Sequence, residues 1–373
     1  MRKIFFKLNQ NNQKTTVLSL LIAFSFTSLI SCKQDEAITP KDDVAIVTPG
    51  DTIISGIPPA TPVPTPPPST TEPTTPPSSG SYNYLVSTYD QLKSALSKAT
   101  SGQVVYVADN AEINMTDKGT LTVPAGVTLK SGRGKTSSTL GGLIYTTNIA
   151  HGIMLKAGGT GVKFIGLRVR GASTGTSGSS TYCRGIYSNY SNLEVDNCEI
   201  YGWNHAGIYL ADGAYNSYIH HSYFHHNQQN GLGYGVSMSK ATAKIMYNYF
   251  DYNRHAVAGS GIAGSGYEAA YNVVLSHATA HSFDMHGYGG DGSQYVAGDY
   301  VKIHDNIFFM TAYRAITVRG TPTQGVYISN NKFAHKSEAS ALNIFSSSSK
   351  VFIGTGNTYN TSIATVNPGP SSM

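Results

Sequence analysis

One short pattern recurs along the chain: "VKFIGLRVRG", "LEVDNCEIYG", "YIHHSYFHHN", "KIMYNYFDYN", "YEAAYNVVLS", "VKIHDNIFFM", "VYISNNKFAH" and "VFIGTGNTYN". Each copy has an apolar pair, then a polar or Asn position, then an aromatic or aliphatic residue two places on. Anchored at Leu167, Cys198, Ser222, Asn248, Asn272, Asn306, Asn331 and Asn357, the copies lie roughly 25 residues apart, the period range of stacked repeats. No helical periodicity fits inside the unit. A repeat of that length without a helix is one coil of a β-solenoid, in which each coil packs only on its neighbours. Asn at one position in five successive copies predicts a ladder, its side-chain amides bonding from coil to coil at a tight bend.

Every coil holds a second strand. The segments "HGIMLKAG", "RGIYSNY", "AGIYLAD", "YGVSMSK", "HAVAGSG", "HSFDMHG", "RAITVRG" and "SALNIFS" align without gaps. Their third and fifth positions are mostly apolar, as in Ile208 and Leu210 or Phe283 and Met285. Strand side chains alternate between faces, so Ser282, Asp284 and His286 are expected on the outer face. His281 has inward parity but starts the strand, where a turn can redirect it. The column of His281 holds His255 (beside Arg254) one coil earlier and Arg314 one coil later. His286 stacks between Ser260 and Arg319, and Asp284 between Ala258 and Thr317. Coils are about 4.8 Å apart, which puts these groups in contact. The outer positions elsewhere are Met154, Tyr187, Tyr209, Ser237 and Asn343, so charge concentrates in three consecutive coils. The coil from Asn272 to Asn306 is also long, its excess being "GYGGDGSQYVAGDY" directly after His286. With the Gly-rich "GSGIAGSGYEA" before the site, it is expected to wall an extended ligand, a job suited to loops on a rigid scaffold. Tyr234, Tyr288 and Tyr295 are expected stacking surfaces, and Trp203, Asn204 and His205 an upstream subsite.

The rest of the chain sorts by composition. Residues 1–31 read as a bacterial lipoprotein signal: a basic start, "VLSLLIAFSFTSLIS", then Cys32 as the lipidated residue. The apolar run is too short to span comfortably. Residues 32–81 hold 12 of the 16 prolines and read as an extended linker that cannot bury a core. The coils occupy 82–361, and 362–373 form a flexible tail. The formal charge of +5 falls to +1 without Arg2, Lys3, Lys7 and Lys14 of the leader, which removes the clustered basic face that nucleic acid requires. Cys183 and Cys198 either pair, as an oxidising compartment allows, or serve as small buried hydrophobes. "TYDQLKSALSKA" is the one clear helix, with Leu92, Ala95, Leu96 and Ala99 on a single face and Thr88 or Asp90 as its cap. The run "IHHSYFHHNQQN" carries His220, His221, His225 and His226 on a bend away from the charged face. Surface stacking is its first reading and metal binding its second.

On these repeats the chain resembles right-handed parallel β-helix proteins of the pectate-lyase type, which include polysaccharide lyases and glycoside hydrolases. The opening helix followed by "GQVVYVADNAEI" is similar to the N-terminal cap of uronate lyases such as chondroitinase B and alginate lyases. The resemblance covers about 83–360 and implies an all-β parallel solenoid acting on an acidic polysaccharide. It also implies a lysine or arginine base and often calcium, but the matching Asp and Glu cluster is missing. In the residues themselves, Arg314 and Arg319 suit a carboxylate neutraliser, His255, His281 or His286 a base near neutral pH, and Asp284 its orienting partner. A hydrolase is the second reading. It needs two carboxylates, and only Asp284 maps to the face, with Glu268, Asp291 and Asp299 as second candidates; Glu268 is also counted among the substrate-contacting residues. A divalent metal on His281, Asp284 and His286 is a third reading, one the sequence does not require. A non-catalytic carbohydrate-binding surface is the fourth. The expected setting is a monomer anchored by lipid to the outer membrane, facing the periplasm or the cell exterior.

Overall fold

A computed structural model describes residues 82–136, 138–178 and 180–363. The leader with Cys32, the proline-rich stretch and the end of the tail lie outside them. Within the described residues the chain winds through three sheets in rotation. Ala206–Leu210 leads to Ser217–His220, then to Tyr223–His225, and the next strand, Tyr234–Met238, lies back against Ala206–Leu210. Repetition builds one eleven-stranded and two nine-stranded sheets, and the strands of each sheet pair in parallel. The nine-stranded sheet containing Phe283–Met285 is called here the front sheet, the eleven-stranded one the long sheet, and the other the third sheet. The chain is a parallel β-helix solenoid.

The apolar columns explain why the coils close. Ile186, Ile208, Val236, Val257, Phe283 and Ile316 stack inward along the front sheet and are fully buried. Each contributes about 1.5–3 kcal/mol relative to exposure. The third sheet answers with ring stacks, Phe224 on Phe250 at 5.2 Å and Phe308 on Phe333 at 5.0 Å between centroids.

The predicted Asn ladder runs along the bend between the long and third sheets. The backbone N–H of Asn248 donates to Asn272 Oδ1 at 2.9 Å, that of Asn272 to Asn306 Oδ1 at 2.9 Å, and that of Asn306 to Asn331 Oδ1 at 3.0 Å. Each Nδ2 donates back to a carbonyl of the long sheet, as Asn272 does to Ile245 at 2.8 Å. The residue before each rung of the ladder turns the chain in the left-handed region: His221, Tyr247, Tyr271, Asp305 and Asn330 all have φ between 49° and 58°. A buried bend exposes no backbone to water, so the amides supply the bonds that the sheets cannot.

Helix Tyr89–Lys98 caps the first coil, with Leu92, Ala95 and Leu96 buried. Thr88 Oγ1 accepts from the Gln91 N–H at 3.3 Å and Gln91 Oε1 accepts from the Thr88 N–H at 3.2 Å, a reciprocal capping box. Cys183 and Cys198 are both free thiols and buried, so the pairing alternative fails and the small-hydrophobe reading holds.

Two details of register differ from the gap-free alignment. Ile186 pairs with Leu155 and Tyr187 with Lys156. Met154 is therefore buried, and Lys156 takes the outer place beside Tyr187. Second, alternation slips by one near the start of each front-sheet strand. The second position (Gly185, Gly207, Gly235, Ala256, Ser282) turns inward together with the third. A Cβ on Gly207 would come within 2.8 Å of Ile200, and one on Gly235 within 3.2 Å of Phe250. Ser282, expected outside, accordingly sits beside Phe250 and Ala256. The slip sends the first position outward, which is why His281, of nominally inward parity, joins Asp284.

Candidate active site on the front sheet

Asp284 is the centre of the charged cluster. It occupies the middle of strand Phe283–Met285 and is completely buried, beneath the side chains around it. Arg319 Nε donates to Asp284 Oδ1 at 3.1 Å and Nη2 to Oδ2 at 3.3 Å, the two-point geometry that suits guanidinium to carboxylate. His286 Nε2 lies 2.8 Å from Oδ2 and His281 Nε2 3.2 Å from Oδ1. From the core side, the Tyr267 hydroxyl donates to the Asp284 carbonyl at 3.2 Å and fixes its backbone. Burial alone would push the Asp284 carboxyl up. The charges of His286, Arg319 and His281 outweigh it and hold the group well below the usual carboxylate range, so it is ionised.

His281 Nε2 lies between a donor and an acceptor, 2.9 Å from Arg319 Nη2 and 3.2 Å from Asp284 Oδ1. Nε2 of His286 faces an ionised carboxylate, 2.8 Å from Oδ2, and carries a proton. His255 lies under His281, with ring centroids 4.2 Å apart, and against Tyr234 at 5.6 Å. Its Nδ1 reaches the His281 carbonyl at 2.5 Å. Burial, followed by the charges of His281 and Arg254, keeps it neutral far below its ordinary range.

The remaining sequence candidates divide by position. Arg254 is buried beside His255. Arg314 stands in the expected column, but its charge acts on His335 rather than on Asp284. Glu268 lies in the long sheet and bonds His304 at 3.2 Å, so it is not on the front face, in keeping with its place in the copy "YEAAYNVVLS". Asp299 braces loops, accepting from the Gly264 N–H at 2.9 Å and from Thr323 Oγ1 at 3.2 Å. Asp291 does reach the cluster, 4.0 Å from Arg319 Nη1.

Tyr288 and Tyr295 sit on the long loop after His286, and Tyr288 is 61% exposed. The loop folds back on the site. The Tyr288 N–H donates to Val296 at 2.7 Å and the Gly292 N–H to the Arg319 carbonyl at 2.9 Å. At Gly287 and Gly261 the backbones pass so closely, Gly287 against Gly290 and Arg319, Gly261 against His286, that no Cβ fits.

Below the cluster the outer face continues as a strip of rings and cations. Tyr234 is buried with Ala206 and Ala258 in a small apolar layer flanked by Tyr209 and Leu232, so it forms part of the floor rather than a free platform. Arg184 Nε donates to His205 Nδ1 at 2.6 Å, and its guanidinium covers Tyr209 at 4.4 Å and Tyr182 at 5.9 Å. Tyr187 stacks on Tyr209 at 5.9 Å, and Lys156 lies 5.7 Å over Tyr187. Burial and then Arg184 lower His205 to about 3. The register runs from Lys156 through Tyr187, Tyr209, Ser237 and Ala258 to Asp284. Five steps of about 4.8 Å make this a surface roughly 24 Å long. Arg184, Tyr182 and Lys156 were missed in the sequence. The signal was available for Arg184, which heads the same column as Tyr234, His255 and His281.

A metal fits this cluster poorly. His255, His281 and Asp284 bring ligand atoms within 4.8 Å of one another, but Arg319 engages both Asp284 and His281, and His255 Nδ1 is turned to a carbonyl. A dication here, whether on that set or on His281, Asp284 and His286, would face a guanidinium at bonding distance.

Comparison with known proteins bears on the fold. A family model described as "Right handed beta helix region" matches residues 105–268. No curated protein matches the sequence. An alginate lyase from Paenibacillus sp. str. FPU-7 is similar in structure, with TM-score 0.52 and 16% identity over 72% of this chain and 98% of that one. A family 28 exopolygalacturonase from Yersinia enterocolitica gives 0.43 and 9%, over 76% and 64%. The A-module of a mannuronan C-5 epimerase from Azotobacter vinelandii gives 0.36 and 13%, over 72% and 94%. At these identities the likeness is one of fold.

Proposed function

We propose that this right-handed parallel β-helix is an enzyme that degrades a uronic-acid-containing polysaccharide by β-elimination on its front sheet. The observation that carries the reading is the pairing of His286 with a buried, ionised Asp284 that is itself clamped by Arg319. The carboxylate orients His286 and favours proton uptake by its ring, and the guanidinium supplies the positive charge that a sugar carboxylate would meet. In this scheme Arg319, with Nη1 toward the loop, neutralises the sugar carboxylate. His286 takes the proton α to it. The electron pair forms the new C=C bond and expels the 4-oxygen, which takes its proton back from the imidazolium. Arg184, Tyr187, Tyr209 and Lys156 bind the chain further along the strip, with Tyr288 and Tyr295 closing over it. His281, His255 and Arg254 hold the arrangement from below.

Hydrolysis ranks second because one of the two carboxylates it needs is spent. Asp284 is buried and committed to Arg319, which leaves Asp291 alone at the surface. The fold is one on which an alginate lyase is built, which makes it compatible with the proposal; the side chains carry the argument. We place the enzyme on a lipid anchor at Cys32 in the outer membrane, as a monomer whose contact with the bilayer is the lipid alone. Radiolabelled palmitate incorporated by the wild type and not by Cys32→Ala is the expected result for that placement.

The direct test is incubation with a panel of uronate polysaccharides, with and without chelator. An ultraviolet absorbance from unsaturated uronate, insensitive to chelator and lost in His286→Gln with sugar affinity retained, is the expected outcome. New reducing ends without absorbance would make the protein a hydrolase. Affinity without turnover would make it a binding surface.

A further inference from the structure

Outside the front sheet, one cluster of potential metal ligands is built to a different plan. His220 ends strand Ser217–His220 of the long sheet, His221 makes the left-handed bend after it (φ 49°), and Asp196 is the register partner of His220 one coil earlier. Three donor atoms converge there. His220 Nδ1 and His221 Nδ1 are 2.8 Å apart, and Asp196 Oδ1 lies 3.1 Å from the first and 3.6 Å from the second. Tetrahedral zinc with bonds of about 2.0–2.1 Å holds its ligands about 3.3 Å apart, the middle of that range.

We propose that Asp196, His220 and His221 bind one first-row divalent transition-metal ion, with zinc the best match to two imidazoles and a carboxylate. The surroundings of a metal site are present as well as the ligands. His220 Nε2 faces Glu194 Oε1 at 3.5 Å, and Glu194 is held by Lys163 at 2.6 Å, an outer carboxylate placed to orient a ligating imidazole. His220 stacks on Tyr218 with centroids 3.9 Å apart, and His221 on Tyr247 at 5.1 Å and 9°. His221 is half exposed and Asp196 partly so, which gives the ion a path in and leaves its fourth position to water. Among the described residues no guanidinium is paired with these three side chains, in contrast to the Asp284 cluster. Bound there, the ion would clasp two successive coils at the bend between the long and third sheets, independently of any chemistry on the front sheet.

The chain carries its own control. His225 and His226 repeat the pair, with Nδ1 atoms 2.8 Å apart and Glu199 at 3.1 Å from His225 Nε2. The register partner one coil earlier is Tyr201, however, and on the other side Asp251 is taken by His277 at 3.1 Å. The second pair therefore lacks the third ligand. The competing occupant of the first centre is a proton on His220 between its two carboxylates.

The experiment strips the purified protein with a chelator, dialyses it to equilibrium against zinc and measures bound metal, with circular dichroism to confirm folding. The proposal expects one zinc per chain in wild type and His226→Ala, binding at least ~10-fold weaker in His221→Ala and Asp196→Asn, and a zinc-dependent rise in Tm only in the first two. Cobalt in place of zinc should give the strong visible bands of a tetrahedral site in wild type, which decides the matter even if a variant fails to fold. No retained zinc, equal zinc in His221→Ala, or loss confined to His226→Ala would each overturn the assignment.

Discussion

Replacing Asp284 by alanine removes the one negative charge from a buried group of Arg319, His281 and His286. The carboxylate is fully buried and Arg319 nearly so. Breaking a buried pair by deleting one partner costs about 3–5 kcal/mol, because the other charge is left without compensation. At about 2–4 °C per kcal/mol for a domain near this size, Tm should fall by roughly 6–20 °C. Arg319→Ala should cost a similar amount for the mirror-image reason. The double variant removes both charges, so it should be less damaged than the two losses added together, with a coupling of about 2–3 kcal/mol. Urea unfolding at neutral pH, followed by far-ultraviolet circular dichroism, measures all three. Acid gives an independent check. The folded Asp284 sits well below the ordinary value of 3.8, so the unfolded chain takes up the proton first. The contribution is present above that value and lost as pH falls below it, and Asp284→Asn should flatten this limb. Additive single losses, with coupling under about 0.5 kcal/mol, would refute the account of the cluster as an ion pair.

Other outcomes test other parts of the molecule. His205 is lowered from 6.5 to about 3, so the stability it gives is whole above 6.5 and lost as pH falls toward 3; His205→Gln should remove that slope from pH-dependent thermal unfolding. Asn272→Ala strips an acceptor from Asn248 and a donor from the Ile245 carbonyl. At about 1–3 kcal/mol per buried group left unsatisfied, denaturant unfolding should show a loss of about 3 kcal/mol or more. Tyr209→Ala takes away the ring under Arg184, a contact worth about 0.5–2 kcal/mol, and should raise KM several-fold on long substrates while leaving kcat alone. Thr88→Ala should cost about 1 kcal/mol through the helix cap, read from the urea midpoint.

Much of the fold was legible because a solenoid writes the same rule many times. One Asn at a bend is ambiguous, but Asn248, Asn272, Asn306, Asn331 and Asn357 at nearly constant spacing specify a ladder and therefore a coil length. The misplacement of Met154 has the same origin. The first front-sheet strands carry weaker copies of the pattern, and a shift of two residues preserves alternation, so parity alone could not reject it. Only the pairing of Ile186 with Leu155 decides it.

The site was legible as a set of columns and not as a set of contacts. Column position placed His286 beside Arg319, and His281 over His255. It could not show that the second position of each strand turns inward, because that slip depends on third-sheet rings such as Phe250 pressing on Gly235 and Ala256, residues distant in sequence. The consequence is functional. Without the slip, His281 would point into the core, where an imidazole has no partner, and Arg319 would lose one of the two groups that fix it. The small residues Gly185, Gly207, Gly235 and Ala256 are thus part of the site although none touches a ligand. Ala256→Leu is the sharpest probe of that dependence. The larger side chain would meet the ring of Phe250, force the first position inward, and disturb His255 and His281 before it disturbed the coil. The expected signature is a loss of turnover with the far-ultraviolet spectrum preserved; full activity in that variant would show that the strand start tolerates either parity.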